Sequence, residues 1–121
     1  MFDKNNPQNK RTVDLYLSGN IRITHNYVIS ELISLAMARR HHLSRILDYV
    51  IDILNDSKIE VLWIDETYTW KALNLLVERW DKKWSLCDAV SFVVMEEFNI
   101  TEALTTDHHF EQAGFIKLLD S

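Results

Sequence analysis

Glycine, proline and cysteine are scarce in this sequence. Its 121 residues include only two Gly, one Pro and one Cys. So few turn-forming residues exclude the many tight turns of a β-sandwich and favour long helices joined by short loops. The single cysteine, Cys87, has no partner for an internal disulfide. Neither a long apolar run nor a charged leader before an apolar stretch is visible, so we expect a cytoplasmic protein with no membrane partner.

Positive charge is also limited. The chain has 13 Lys and Arg against 18 Asp and Glu, and its formal net charge is -5. Because nucleic-acid phosphates attract Lys and Arg, this balance argues against a domain that binds nucleic acid over its whole surface. Any contact with RNA must be local. The clear basic cluster is ARRHHLSR, residues 38–45, whose preferred interpretation is the favourable positive charge at a helix C-terminus.

Apolar residues, in contrast, are plentiful. They make up 47% of the chain and include four Trp, five Phe and four Tyr, enough for one hydrophobic core. We therefore expect a single compact domain that spans residues 1–121.

Hydrophobic periodicity predicts strands that alternate with helices. Strands are predicted at residues 21–24, 59–64, 102–106 and 115–119. Helices are predicted at residues 6–18, 26–40, 44–55, 65–81 and 86–98, with a short helix that ends at Gly114. This alternation is typical of a three-layer α/β/α sandwich with a mainly parallel sheet. Such folds hold their functional sites at the carboxyl ends of the strands.

Three acidic residues lie where these predicted elements meet. Asp88 follows Ser85 at the spacing of a capping box, and Asp107 follows a strand where it can cap the next helix. Glu31 has mostly apolar helical neighbours, so we expect its carboxylate to face packed surface, where it requires a partner. Helix caps and solvent-exposed helix faces are sufficient to explain why acidic residues occur at these three positions. The open alternative is a shared metal site, for which carboxylates favour Mg²⁺ or Mn²⁺ over zinc.

Residues 20–119 resemble the PIN-domain family, and within it the bacterial VapC-type toxin ribonucleases. The segment ITHNYVISELISL is similar to the family's second strand and the helix that carries its Glu, here Glu31. WSLCDAVSFVVMEEFNI resembles the S-x-x-D-A helix, with Asp88 as the acid. EALTTDHHFEQAGF resembles the closing T-x-D-x-x-F segment, with Asp107 as the last acid. The resemblance implies an α/β/α sandwich whose four acids hold Mg²⁺ or Mn²⁺ and hydrolyse RNA, with an antitoxin protein as a further partner.

The chain departs from the family at its start. Family members begin with an apolar strand that ends in Asp-Thr or Asp-Ser and supplies the first metal ligand from the middle of the sheet. The opening MFDKNNPQNKRTVDLY does not match that strand, and Asp3 lies in polar surroundings, so neither is assigned this role. We therefore predict a PIN-like sandwich whose N-terminal strand is missing, through truncation or loss.

Several consequences of a missing strand are expected. The sheet should contain four strands, with a gap between residues 21–24 and 102–106 that self-association covers, because unpaired strand edges attract another chain. A homo-oligomer is therefore predicted. A site limited to Glu31, Asp88 and Asp107 should bind Mg²⁺ or Mn²⁺ weakly and cleave RNA poorly.

Two hypotheses of function follow, a PIN-type metal-dependent endoribonuclease and a catalytically silent PIN-like interaction or dimerisation module. A phosphoacceptor receiver domain fits less well, because it requires paired acids on the first strand and a Lys after the last strands, whereas Lys117 lies inside its strand.

Other reactive side chains have simpler interpretations. Cys87 is expected to pack in the interior, and His108 and His109 to face solvent in the first turn of a helix. Asp81 is expected at most to assist at the edge of the site. The tryptophans are predicted to pack in the core or at a dimer surface, namely Trp63, Trp70, Trp80 and Trp84.

Overall fold

The computed structural model describes residues 14–38 and 42–120. Its strands are β1 (Leu15–Ser18), β2 (Ile21–His25), β3 (Ile59–Leu62), β4 (Glu102–Leu104) and β5 (Ile116–Lys117). Its helices are α1 (Asn26–Ala38), α2 (Leu43–Asn55), α3 (Glu66–Glu78), α4 (Leu86–Glu97) and α5 (His109–Gln112). None of these described helices is both long and apolar enough to cross a membrane.

The first described element is a strand rather than the end of a helix. The predicted helix at residues 6–18 is wrong over residues 15–18, which form β1, and its residues 6–13 lie outside the described part of the chain. Residues 19 and 20 form the two-residue loop between β1 and β2, and Gly19 has a φ of 60°. Glycine adopts this left-handed conformation without a steric penalty, which makes the tight hairpin possible.

The five strands form one sheet in the order β3-β2-β1-β4-β5. Strand β2 pairs with β3, and β4 with β5, in parallel, while the central strand β1 runs antiparallel to both β2 and β4. The predicted α/β sandwich with its largely parallel sheet is confirmed, since four of the strands share one direction. The four-strand sheet with an open gap is wrong, because β1 occupies the position between β2 and β4.

Helices pack on both faces of the sheet. On one face, Tyr16, Ile23 and Ala103 contact a core that includes Phe92 and Phe110. On the other face, Val28 and Ile53 of α1 and α2 pack with partly buried side chains of the sheet and helices, namely Leu15, Leu32, Tyr49, Ile59, Val61 and Cys87. Because side chains alternate along a strand, consecutive residues of β1 reach opposite layers.

A buried polar network ties the centre of the sheet to α4. The Tyr16 hydroxyl is within hydrogen-bond distance of Ser91 Oγ, and His25 Nε2 lies 2.8 Å from the same oxygen. The Ser91 hydroxyl also donates to the Cys87 carbonyl at 2.9 Å. Burial lowers the pKa of His25 to about 3, so the imidazole is neutral in the folded protein at neutral pH. This network fixes β1 against the helix that carries Asp88.

The tryptophans divide between core and surface. Trp84 is buried and stacks edge-on against Phe92. Trp63, Trp70 and Trp80 are exposed, so the fold itself does not use them as core residues.

Candidate metal centre

Asp88 begins the site at the first turn of α4. Its carboxylate accepts a hydrogen bond from the Ser85 N–H at 3.1 Å, while the Ser85 hydroxyl oxygen accepts from the Asp88 N–H at 3.1 Å. The predicted capping box is confirmed. The same carboxylate oxygen, Oδ2, lies 3.0 Å from Nδ1 of His109, so capping is only part of what this residue does.

Asp107 lies just beyond the carboxyl end of β4. Its Oδ1 accepts from the His109 N–H at 2.9 Å, an Asx turn that leads into α5. Its own N–H donates to the hydroxyl oxygen of buried Thr105 at 3.1 Å. The N-cap residue of α5 is His108, one position later than predicted, and it makes no side-chain cap hydrogen bond. Asp107 therefore precedes the cap, and the His109 N–H holds its carboxylate in one orientation.

His109 brings these two acids together. Its Nδ1 lies 3.0 Å from Asp88 Oδ2 and 3.3 Å from Asp107 Oδ1, and only 22% of its side chain is exposed. The prediction that His109 faces solvent is wrong for this reason. His108 does face solvent, with 69% of its side chain exposed. Asp107, His108 and His109 each offer a ligand atom within 4.8 Å of the others, which is a spacing that a metal ion can bridge.

Glu31 lies in the second turn of α1, which follows β2 directly. It is exposed, so the expectation that its carboxylate faces packed surface is wrong. Its charge nevertheless acts on the same groups as the other acids, because it raises the pKa of both Asp14 and Cys87. Glu31 thus lies on the solvent-exposed side of the region that contains Asp14, Asp88 and Asp107.

Asp14 is the residue that the sequence reasoning missed. It immediately precedes β1, is partly buried and is hydrogen-bonded to Thr105. The pKa of Asp14 is raised to about 7, chiefly by burial. The hydrogen bond to Thr105 lowers this pKa, whereas the charges of Asp107, Asp88 and Glu31 raise it. A signal was available, since Gly19-Asn20 between two short, largely apolar segments is typical of a β-hairpin turn.

These four carboxylates, Asp14, Glu31, Asp88 and Asp107, are called the acidic edge below. Their charges act on one another, since Asp107, Asp88 and Glu31 all raise the pKa of Asp14. Carboxylate oxygens are the ligands that a hard cation such as Mg²⁺ or Mn²⁺ prefers. Like charges held this close repel one another, and a bound cation offsets that repulsion. The chemistry of the donors therefore fits a divalent metal.

Cys87 and Asp81 lie outside this role. The Cys87 thiol packs against α1 and α2, and burial together with the charge of Glu31 raises its pKa, so it is not an activated nucleophile. Asp81 is exposed and pairs with Arg79 and Lys82, with oxygen-to-nitrogen distances of 3.8 and 3.9 Å.

Comparison with known proteins agrees with this fold. The PIN-domain model matches residues 1–116, so the chain belongs to the PIN-domain family. Among solved structures, the chain is similar to the Mycobacterium tuberculosis toxin VapC20, which is described as a sarcin-ricin loop cleaving toxin. The two are 26% identical and superpose with a TM-score of 0.74, over 84% of this chain and 76% of VapC20. No curated protein sequence matches the chain. The resemblance to VapC-type toxins is confirmed at the level of family and fold.

Proposed function

We propose that this protein is a metal-dependent endoribonuclease of a toxin–antitoxin pair, which acts in the cytoplasm and hydrolyses RNA phosphodiester bonds. Glu31, Asp88 and Asp107 would hold Mg²⁺ or Mn²⁺. The observation that carries the proposal is the close approach of Asp88 and Asp107 to one imidazole nitrogen, at 3.0 and 3.3 Å, in a member of the PIN-domain family. The similar toxin VapC20 cleaves the sarcin-ricin loop, which supports RNA as the substrate class.

The carboxylates are oriented before any ligand arrives. Asp88 is held by the Ser85 N–H and by His109, and Asp107 by the His109 N–H. Donors that are already in place need not be ordered when a cation binds, which favours both binding and catalysis. When bound, a divalent ion supplies Lewis-acid stabilisation of charge on the phosphate and lowers the pKa of a coordinated water.

The acidic edge also dictates the order of binding. Without a cation, its negative charges repel the phosphates of RNA, and the net charge of -5 adds to that repulsion. We therefore expect the metal to bind before RNA, and RNA binding to depend on the metal even in a variant that cannot cleave.

The test uses purified protein, Mn²⁺ or Mg²⁺, and an RNA hairpin that contains the sarcin-ricin sequence. Asp88→Asn and Asp107→Asn retain an oxygen that can accept the backbone hydrogen bond but lose the charge. Both should reduce cleavage by about 100-fold or more, because metal ligands act directly on the reacting phosphate.

Matched controls separate capping from catalysis. Asp65 caps α3 by accepting from the Tyr68 N–H, and Asp56 accepts from the Lys58 N–H two residues on, as Asp107 does from His109. Asp65→Asn and Asp56→Asn should cleave like the unaltered protein. Equal cleavage activity of Asp88→Asn and Asp65→Asn would contradict the proposal. Cleavage that persists in EDTA would contradict it as well.

A catalytically silent interaction module is the second candidate, and exposed apolar surface favours it. Helix α2 buries Ile46, Val50 and Ile53 but leaves one side uncovered. We call this side the α2 outer face; it consists of Leu43, Leu47, Ile51 and Leu54, which are 37 to 53% exposed. Large apolar side chains in a row are typical of a surface that binds another protein. An antitoxin or a second copy of the chain are the partners proposed for it.

A further inference from the structure

Two neighbouring imidazoles face one carboxylate just beyond the carboxyl end of β4. His108 Nδ1 lies 3.9 Å, and His109 Nδ1 lies 3.3 Å, from the same oxygen, Oδ1 of Asp107. The two imidazole rings lie side by side, with their centroids 4.6 Å apart. Within residues 14–38 and 42–120, no other three His, Cys, Asp or Glu side chains offer ligand atoms that all lie within 4.8 Å of one another.

These separations match the spacing of ligand atoms around a tetrahedral metal ion. Zn²⁺ binds imidazole nitrogen and carboxylate oxygen at about 2.0 to 2.2 Å, so two ligand atoms of a tetrahedral site lie about 3.3 to 3.6 Å apart. The distance from His109 to Asp107 agrees with this value, and the distance from His108 is slightly longer. Because the His108 side chain is 69% exposed, a small rotation closes that difference without disturbing the core.

A turn in the backbone brings the three consecutive side chains together. Consecutive side chains point to opposite faces of a strand and in different directions around a helix. Here the His109 N–H donates to Asp107 Oδ1 at 2.9 Å, and the Asp107 N–H donates to the Thr105 hydroxyl at 3.1 Å. The next residue, Phe110, is fully buried in the core. The ligand atoms are therefore close to one another before any ion binds, which lowers the entropic cost of binding.

The imidazole nitrogens change the kind of ion that this group prefers. Mg²⁺ and Mn²⁺ favour oxygen ligands, whereas imidazole suits Zn²⁺ and other late transition metals. For the same nitrogen and oxygen ligands, Zn²⁺ also binds more tightly than Mn²⁺. Two imidazoles and one carboxylate should therefore select Zn²⁺, in contrast to the carboxylates of the acidic edge alone.

We propose that Asp107, His108 and His109 form a binding site for Zn²⁺, and that Zn²⁺ bound there excludes the Mg²⁺ or Mn²⁺ ion of the proposed nuclease. His109 Nδ1 faces both Asp107 Oδ1 and Asp88 Oδ2, at 3.3 and 3.0 Å. An ion on this nitrogen would occupy the space between the two carboxylates, so the same carboxylates cannot hold a second ion in that space. The exclusion rests on the proposed function, whereas the Zn²⁺ site itself does not.

A purely structural role of the imidazoles makes a different prediction. If His109 only joins the two acids, and His108 only faces solvent, replacement of His108 has no effect on Zn²⁺ affinity. If both imidazoles are ligands, replacement of either one weakens Zn²⁺ binding. His108 gives the sharper test, because its exposed side chain contributes little to the fold.

The experiment measures Zn²⁺ and Mn²⁺ affinity by titration calorimetry of the full-length metal-free protein without RNA. The unaltered protein should bind Zn²⁺ more tightly than Mn²⁺. His108→Gln and His109→Gln should each weaken Zn²⁺ binding by at least about tenfold, since loss of a group that merely supports a ligand already costs that much. His108→Gln should reduce Mn²⁺ affinity by a smaller factor. His42→Gln, which removes another exposed imidazole, should leave Zn²⁺ affinity unaltered.

Melting temperatures give a second measure of Zn²⁺ binding. Zn²⁺ should raise the melting temperature of the unaltered protein and of His42→Gln, and the rise should be smaller in His108→Gln. Zn²⁺ affinity of His108→Gln within about twofold of that of the unaltered protein would overturn the site. Zn²⁺ affinity of the unaltered protein that does not exceed its Mn²⁺ affinity would overturn it as well.

Competition between the two ions tests the exclusion. Mn²⁺ titrated into the Zn²⁺-loaded protein should bind at least about tenfold more weakly than to the metal-free protein, and Zn²⁺ should inhibit Mn²⁺-dependent cleavage of RNA. Unchanged Mn²⁺ affinity would overturn the exclusion and leave the Zn²⁺ site in place. Absence of Mn²⁺ binding by the metal-free protein would overturn the proposed function and the exclusion together, while Zn²⁺ binding that both His variants weaken would still establish the site.

Discussion

At the acidic edge, polar side chains are held in place by the fold, whereas on the α2 outer face large apolar side chains meet solvent. Asp88 and Asp107 each accept a backbone hydrogen bond and share His109. Leu47 and Ile51, in contrast, are 39 and 53% exposed. Folding normally places charged side chains in solvent and large apolar side chains in the core. We therefore propose a ligand outside the chain for each region, a cation for the first and a protein surface for the second.

The difference also separates stability from function. The acidic edge rests on buried residues, so many substitutions beneath it should unfold the protein. The α2 outer face contributes little to the fold, so substitutions there should affect only association.

The largest expected effect lies in the core under the acidic edge. Phe110 is fully buried against Tyr16 and Phe92, and it follows His109 directly. Phe110→Ala should lower the free energy of unfolding by about 3 to 5 kcal/mol through lost burial and the cavity that remains. Phe98→Ala, at a position that is 46% exposed, is the matched control and should cost about 1 kcal/mol or less. Urea denaturation followed by circular dichroism measures both, and similar losses would contradict this account of the core.

The buried His25 should make stability depend on pH. Its pKa is about 3 when folded and 6.5 when exposed, so between these values the unfolded state binds more protons. Its contribution is therefore complete above pH 6.5 and is lost as the pH falls toward 3, by up to a few kcal/mol. Denaturation midpoints from pH 7.5 to 4 should fall less steeply in His25→Gln. The exposed His42, changed to Gln, should leave the slope unaltered. Identical slopes for all three proteins would show that His25 is not held neutral.

A smaller effect is expected at the imidazole that joins the two acids. His109→Phe removes the hydrogen bond to Asp88 and the close contact with Asp107, and it should lower the stability of the metal-free protein by about 1 to 2 kcal/mol. His108→Phe, at the neighbouring exposed position, should cost about 0.5 kcal/mol or less. Thermal denaturation of the two variants side by side gives the comparison. A greater loss of stability in His108→Phe than in His109→Phe would contradict the role assigned to the His109 imidazole.

The smallest effect on stability belongs to the α2 outer face. Ile51→Gln should change the free energy of unfolding by about 0.5 kcal/mol or less, while Val50→Ala, one residue away but buried, should cost about 2 kcal/mol. Light scattering should detect self-association of the unaltered protein that Ile51→Gln weakens. A monomer at all concentrations would leave the antitoxin as the proposed partner of this face, and an antitoxin bound equally well by Ile51→Gln would exclude the face from binding.

Local patterns predicted the elements that depend on neighbouring residues. The capping box at Ser85 and Asp88 was readable because both of its hydrogen bonds lie within one turn. The contact between His109 and Asp88 was not, because it depends on how α5 packs near α4. Strand β1 was misassigned because Leu15, Tyr16 and Leu17 are apolar on both faces, which conceals the alternation of a strand. The pair Gly19-Asn20 suits the end of a helix and the turn of a hairpin equally well.

The antiparallel central strand has a consequence for the order of folding. The β1–β2 hairpin joins neighbouring residues and should form in about 1 to 10 microseconds. The pairing of β1 with β4 must instead close most of the chain into a loop, which is entropically costly and slow. Since Asp14 reaches Thr105, just after β4, only through that pairing, the acidic edge should be assembled in the last stage of folding. In a chain that is still being synthesised, the acidic edge would therefore not yet be formed. During folding, the Leu104 amide should be among the last to gain protection from hydrogen exchange.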